Sequence, residues 1–375
     1  MPVNSSATMV VLCVLAFGVV CCPLVNATNP KKQYERGVEL ANSHHYAEAM
    51  KLLRKAADQG LPDAQEAIGE LFHYGAGTTR DDSEAMRWYR KAADQGNAIA
   101  EDFVGLSYEN GLGVKKDLSE AMRWYRKAAD QGNAEAENSI GYLYAHGLSV
   151  EQSLFEAMKW YRKAADQGNA MAQRNVANLY FNGLGVAKDY SEAMHWYLKS
   201  ANQSFTDAEN SVGYCYENGL GVEKNLDLAV YWYQKAASEG LTLAQANLGR
   251  LYYNGLGVMK DHSEAMRWFR MAADQGFASA ENQVGYSYAI GLGVTKDQSE
   301  AMRWFRKAAD HGLDVARDNL KSLSDALCGQ TNNWQDAEVA CNYLIAAGAD
   351  SPKIRQNLAA AEEAENVHKR AELQR

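Results

Sequence analysis

The stretch Ser83-Glu-Ala-Met-Arg-Trp-Tyr-Arg-Lys-Ala-Ala-Asp-Gln-Gly96 recurs along this chain at a constant step of 36 residues. Its tryptophan column gives the spacing: Trp88, Trp124, Trp160, Trp196, Trp232, Trp268 and Trp304, with only Trp334 outside it. A worn earlier copy has Leu52 in the tryptophan position and keeps Lys55-Ala-Ala-Asp-Gln-Gly60. A fixed period in this range marks a repeat array and overrides any domain count made from length. Such arrays present extended binding surfaces rather than catalytic clefts.

Each repeat reads as two helices. Ala85, Met86, Trp88, Tyr89, Ala92 and Ala93 fall on one apolar stripe at helical period, with Glu84, Arg87, Arg90, Lys91 and Asp94 opposite. Asp117-Leu-Ser-Glu120 before the next copy reads as a capping box, Asp117 capping and Glu120 reaching back. Gly96 ends the first helix in the left-handed region, and Asn97 caps the second. That second helix is predicted over about 98–110, with Ala100, Val104, Gly105 and Tyr108 on one side and Gly111 closing it. Stacked copies make an α-solenoid. The tryptophan column is the spine of its core, and losing one such ring costs about 3–5 kcal/mol.

The pattern Ala-x-x-Trp-Tyr-x-Lys-Ala-Ala-x-x-Gly, followed by Ala-x-Ala-x-x-x-x-Gly-x-x-Tyr-x-x-Gly-x-Gly-Val, resembles the Sel-one-like repeat (SLR) family, a relative of tetratricopeptide arrays. The resemblance covers about residues 33–320 in eight copies, the first degenerate. It implies an all-α, right-handed superhelical solenoid that serves as an adaptor or scaffold, and it carries over no catalytic residue. A cysteine-rich secreted branch of the family has been described as β-lactamase-like. This chain has neither that branch's cysteine pairs nor a Ser-x-x-Lys motif.

Chemistry-bearing motifs fail elsewhere too. Gly111-Leu-Gly113 lacks a third glycine and follows a helix, so it is no dinucleotide loop. The eight histidines are scattered without the spacing of a helical metal site. No cofactor is implied and the chain is not read as an enzyme. A net charge of -9 argues against nucleic acid, which needs basic stripes.

Residues 9–25 are apolar and precede Val25-Asn26-Ala27. Residues 1–27 read as a secretory signal cut after Ala27, although residues 1–8 carry no Lys or Arg. The alternative is an uncleaved membrane anchor through residues 9–25. The chain is therefore expected to be exported: secreted, periplasmic or in the lumen of the secretory pathway. Cys13, Cys21 and Cys22 would leave with the signal; Cys328 and Cys341 either pair or stay as buried thiols. Asn202-Gln-Ser204 is a glycosylation sequon, meaningful only in a eukaryotic secretory route. Ser204 also stands where other copies have the capping glycine.

The repeats alternate in type, giving a second period of 72 residues. Ala136-Glu-Asn-Ser-Ile-Gly-Tyr142 returns as Ala208-Glu-Asn-Ser-Val-Gly-Tyr214 and Ala280-Glu-Asn-Gln-Val-Gly-Tyr286. Duplication of repeat pairs explains this most simply. A functional reading uses the second-helix positions that point away from the Ala/Val/Tyr core. There stand Asn138, Tyr142 and His146; Arg174, Asn178 and Asn182; Asn210, Tyr214 and Asn218; Arg250 and Asn254; and Asn282 and Tyr286. Tyrosine and arginine are common hot-spot residues, so these form the expected partner-binding face, in the concave groove. After residue 320 the repeat decays into what read as C-terminal capping helices, 321–375, leaving 28–320 as the solenoid. The expected function is an exported scaffold for a protein or peptide partner. The alternatives are an envelope or glycan-binding protein and a β-lactamase-like hydrolase.

Overall fold

A computed structural model of the protein describes residues 29–330, 333–349 and 351–373. The expected signal or anchor and its three cysteines lie outside them. Among the described residues there are nineteen α-helices and no strand. They fall into two compact units, the first ending at Gln131 and the second beginning at Gly132. Unit 1 holds α1 (Pro30–Asn42), α2 (Tyr46–Ala57), α3 (Pro62–Tyr74), α4 (Asp82–Ala93), α5 (Ala98–Asn110) and α6 (Leu118–Asp130). Unit 2 continues with α7 (Ala134–His146), α8 (Leu154–Asp166), α9 (Ala170–Asn182), α10 (Tyr190–Ala201), α11 (Thr206–Asn218), α12 (Leu226–Ser238) and α13 (Thr242–Asn254). It closes with α14 (His262–Asp274), α15 (Ala278–Ile290), α16 (Gln298–Asp310), α17 (Asp314–Leu327), α18 (Trp334–Ala346) and α19 (Pro352–Leu373). Within each unit consecutive helices pack on one another, which is the α-solenoid arrangement the period predicts.

Local chemistry sets the helix ends. Asp81, Asp117, Ser153, Asp189, Asn225, Asp261 and Asp297 each cap a first helix through the side chain. The capping box is only half made, which corrects the sequence expectation. The Asp117 N–H donates to the Tyr108 carbonyl at 2.8 Å, so Glu120 has no donor to reach back to. It accepts from Arg123 at 2.6 Å instead. The same bond ties Asp81 to Phe72 and, in unit 2, Ser153 to Tyr144 and Asp189 to Tyr180. Each cap thereby stitches the end of one repeat to the start of the next.

The core is shared between repeats. In unit 1, Ala85, Met86, Tyr89 and Ala92 of α4 meet Ala100 and Val104 of α5, and Trp124 of the following repeat closes the cluster. In unit 2, Trp268 and Trp304 close the clusters of the repeats before them. Most rings of the column are buried; Trp160 and Trp232 are half-buried. Their open faces meet protein cations, as where Arg90 and Lys127 lie 4.6 and 3.7 Å from the Trp124 ring. The glycine of the second helix serves the next aromatic column: a Cβ at Gly105 would stand 2.6 Å from the Tyr125 ring.

Candidate partner-binding surface

The second helices of unit 2 carry most of the sequence-predicted surface, and the structure sorts its residues into two groups. Asn138 and Asn210 are buried, at 6% and 8% exposure, and Asn282 is half-buried. Each accepts a hydrogen bond from the next second helix: Asn175 to Asn138 at 3.0 Å, Asn247 to Asn210 at 3.1 Å, Asn319 to Asn282 at 2.9 Å. These three are therefore not open to a partner. They join repeats in twos, which gives the 72-residue alternation a structural cause.

Arg250 lies 2.7 Å from both carboxylate oxygens of Glu217, which also accepts from the Tyr233 hydroxyl at 3.0 Å. Asn178 accepts from the Tyr197 hydroxyl at 2.6 Å, and Arg174 stands 3.8 Å from Asp207. Asn182, Asn218 and Asn254 donate to carbonyls one turn back in their own helices. His146 lies with Nδ1 2.9 Å from the Tyr142 carbonyl and its ring 4.1 Å from the Tyr142 ring.

The tyrosines remain open. Tyr142, Tyr214 and Tyr286 are 41%, 45% and 41% exposed at the same position of α7, α11 and α15. Two turns earlier in the intervening second helices stand Met171, Leu243 and Val315, also exposed. Where one repeat offers tyrosine it has Glu135, Asp207 or Ser279 at that second position. Where the next offers Met171, Leu243 or Val315, it has Asn178, Arg250 or Ser322 in the tyrosine position. Apolar anchors and polar groups thus alternate across the face in a chequered pattern. The sequence reading named the tyrosines as outward-facing but not this second column, because it sought hot spots only among polar and aromatic residues.

A buried polar seam was also missed. In unit 1 the Gln95 side chain donates to Gln65 at 2.8 Å, and Gln131 to Glu101 at 2.7 Å. In unit 2 Gln167 reaches Glu137 at 2.6 Å, Gln203 reaches Gln173 at 2.9 Å, and Gln275 reaches Gln245 at 2.8 Å. His311 stands in the donor position at 2.7 Å from Glu281. The glutamines at 95, 131, 167, 203 and 275 are therefore structural. At one joint the donor is replaced by Glu239, and the buried Glu209 carboxylate is held by Lys235 at 2.8 Å. In unit 2 Cys328 and Cys341 form a disulfide that ties the end of α17 to α18. Cys215 stays a buried thiol, and burial pushes its pKa up to about 12.

Comparison with known proteins places these repeats. The Sel1 repeat family model matches eight times without a gap, over residues 34–61, 62–97, 98–133, 134–169, 170–205, 206–241, 242–277 and 278–313. A Sel1 repeat protein from Oxalobacter formigenes is 34% identical over 78% of this chain and 86% of its own, with a TM-score of 0.60. The protein c5321, a protective antigen of uropathogenic Escherichia coli strains with an SLR fold, is 30% identical over 89% of this chain and 84% of its own, with a TM-score of 0.53. No curated protein matches.

Proposed function

Because the chain belongs to the Sel1 repeat family, a family of protein-interaction scaffolds, we propose that it is an exported, non-catalytic scaffold whose second helices in unit 2 hold a protein or peptide partner. The chequered face of Tyr142, Met171, Tyr214, Leu243 and Tyr286 carries this reading. These large side chains stand exposed at a regular spacing. Tyrosine buries a large rigid surface at small entropic cost, and so makes an effective anchor when a partner covers it. Export is supported by residues 1–27 and by the Cys328–Cys341 bridge, since disulfides persist in oxidising compartments. The antigenic role stated for the related c5321 agrees with display outside the cytoplasm.

The test is a triple substitution of Tyr142, Tyr214 and Tyr286 by alanine. Partners captured by cross-linking to the purified protein should be lost, or bound at least 100-fold more weakly, while the circular dichroism spectrum keeps its helical amplitude. Undiminished capture by a folded triple variant overturns the assignment of this face. A glycan array bound by the native chain and not by the variant would replace a protein partner with a sugar. Amino-terminal sequencing of the exported form should begin at Thr28.

A further inference from the structure

Unit 1 contains a cavity of about 540 Å³, within the size range of ligand sites. It has a physical origin in the worn first repeat. Leu53 occupies the column filled by Tyr89 and Tyr125 in the next two copies, and the shorter side chain leaves the space its ring would take. Leu53 lines the void, with Val38 of α1, Leu71 of α3 and Phe103 of α5 as further apolar wall.

Its ionic groups are all of one sign, and the Asn42 amide is neutral. Glu66 and Glu70 stand one turn apart on α3, and Tyr34, Tyr46 and Tyr74 add rings and phenols; no lysine, arginine or histidine lines it. Glu66 is only 6% exposed, and its carboxylate has no hydrogen-bond or ion-pair partner among the described residues. The buried acids Glu101 and Glu137, one position earlier in the repeat, do have one: Gln131 for Glu101, Gln167 for Glu137. A buried carboxyl facing a void without a counter-charge is costly to ionise. Burial first, then Glu70 and Asp63, push the Glu66 carboxyl well above its ordinary range, and burial raises Glu70 as well. Burial and the same carboxylates carry Tyr34 up to about 12.

We propose that this cavity is a binding pocket for an organic cation on an apolar stem, supplied as the lysine side chain of a partner polypeptide. The ammonium would neutralise the Glu66–Glu70 pair and lie against the electron-rich ring faces, while its methylenes would lie along Leu53, Leu71 and Phe103. Residues 1–28 contain no lysine or arginine, so that segment supplies no basic side chain of its own. The peptide-borne source rests on the scaffold reading above; the cationic chemistry rests on the cavity alone.

The experiment titrates the full chain calorimetrically with N-acetyl-Ala-Lys-Ala-amide, with the same peptide carrying norleucine for lysine, and with free 1,5-diaminopentane. The lysine peptide should bind at least tenfold more tightly than the norleucine peptide. Glu66→Gln should erase that difference without lowering the melting temperature, because it removes a carboxyl that is hard to ionise in the fold. Equal binding of the two peptides, binding of none of the three probes, or discrimination that survives Glu66→Gln overturns the pocket. Binding of the diamine with no binding of the lysine peptide overturns the peptide-borne source. None of these outcomes touches the tyrosine face of unit 2, so the pocket and the scaffold reading fail separately.

Discussion

At the scale of single residues, the backbone shows where the repeat is under strain. Gly96 and its counterparts Gly60, Gly132, Gly168, Gly240, Gly276 and Gly312 all turn the chain with positive φ, and at the fifth joint Ser204 does so at φ 61°. A side chain in this region costs about 1 kcal/mol because its Cβ crowds the backbone. Ser204→Gly should therefore stabilise unit 2 by about 1 kcal/mol. Urea titration by circular dichroism would show this as a higher midpoint with an unchanged slope; an unchanged or lower midpoint would mean that the serine is not strained. This joint was legible in the sequence, because a missing glycine in a regular column is a one-residue observation. The fate of Asn138 was not. Whether an asparagine faces solvent or Asn175 depends on the rotation of the neighbouring helix, and one helix's periodicity holds no record of that.

At the scale of elements, helix limits were legible because caps and glycines are local signals: the second helix expected over about 98–110 is α5, Ala98–Asn110. The joint between first and second helices was less so. The glutamine–glutamate seam links residues 30 apart, a contact made only when two repeats stack. Its one break is informative. Glu239 is exposed where most copies place the glutamine donor, and Glu209 is fully buried and, among the described residues, held by Lys235 alone. Restoring the amide by Glu239→Gln would add a hydrogen bond to a buried carboxylate, worth about 1–2 kcal/mol. Unit 2 should unfold at higher temperature in scanning calorimetry, and the gain should vanish when Glu209→Gln is made as well. Equal gains with and without the Glu209 carboxylate would sink this account of the joint.

At the scale of the whole chain, the period carries the fold and its exceptions carry the chemistry. The ring column holds buried Tyr89 and Tyr125 in the next two copies, whereas the first copy, with Leu53 in that column, opens a cavity and leaves Glu66 beside it. That cavity could not be read from the sequence, since a Leu-for-Tyr difference predicts a void only once the surrounding helices are placed. It has a consequence for stability that does not depend on any ligand. Glu66 faces Asp63, Glu70 and Tyr74 on its own helix, and Tyr34 of α1, Tyr46 of α2 and Tyr89 of α4 lie around it. None of them is a cation. Its carboxyl is raised well above the ordinary 4.5 in the folded state, so between the two values the folded chain holds a proton that the unfolded chain has released. The unfolded state binds fewer protons there, and the stability of unit 1 must fall as the pH rises through that window. Thermal melts of the native chain from pH 4.5 upward should show the unit 1 transition moving to lower temperature, whereas Glu66→Gln should flatten that slope and melt higher at pH 8. A native transition that rises over the same range would mean that Glu66 ionises freely in the fold, and with that the case for an uncompensated negative site would go.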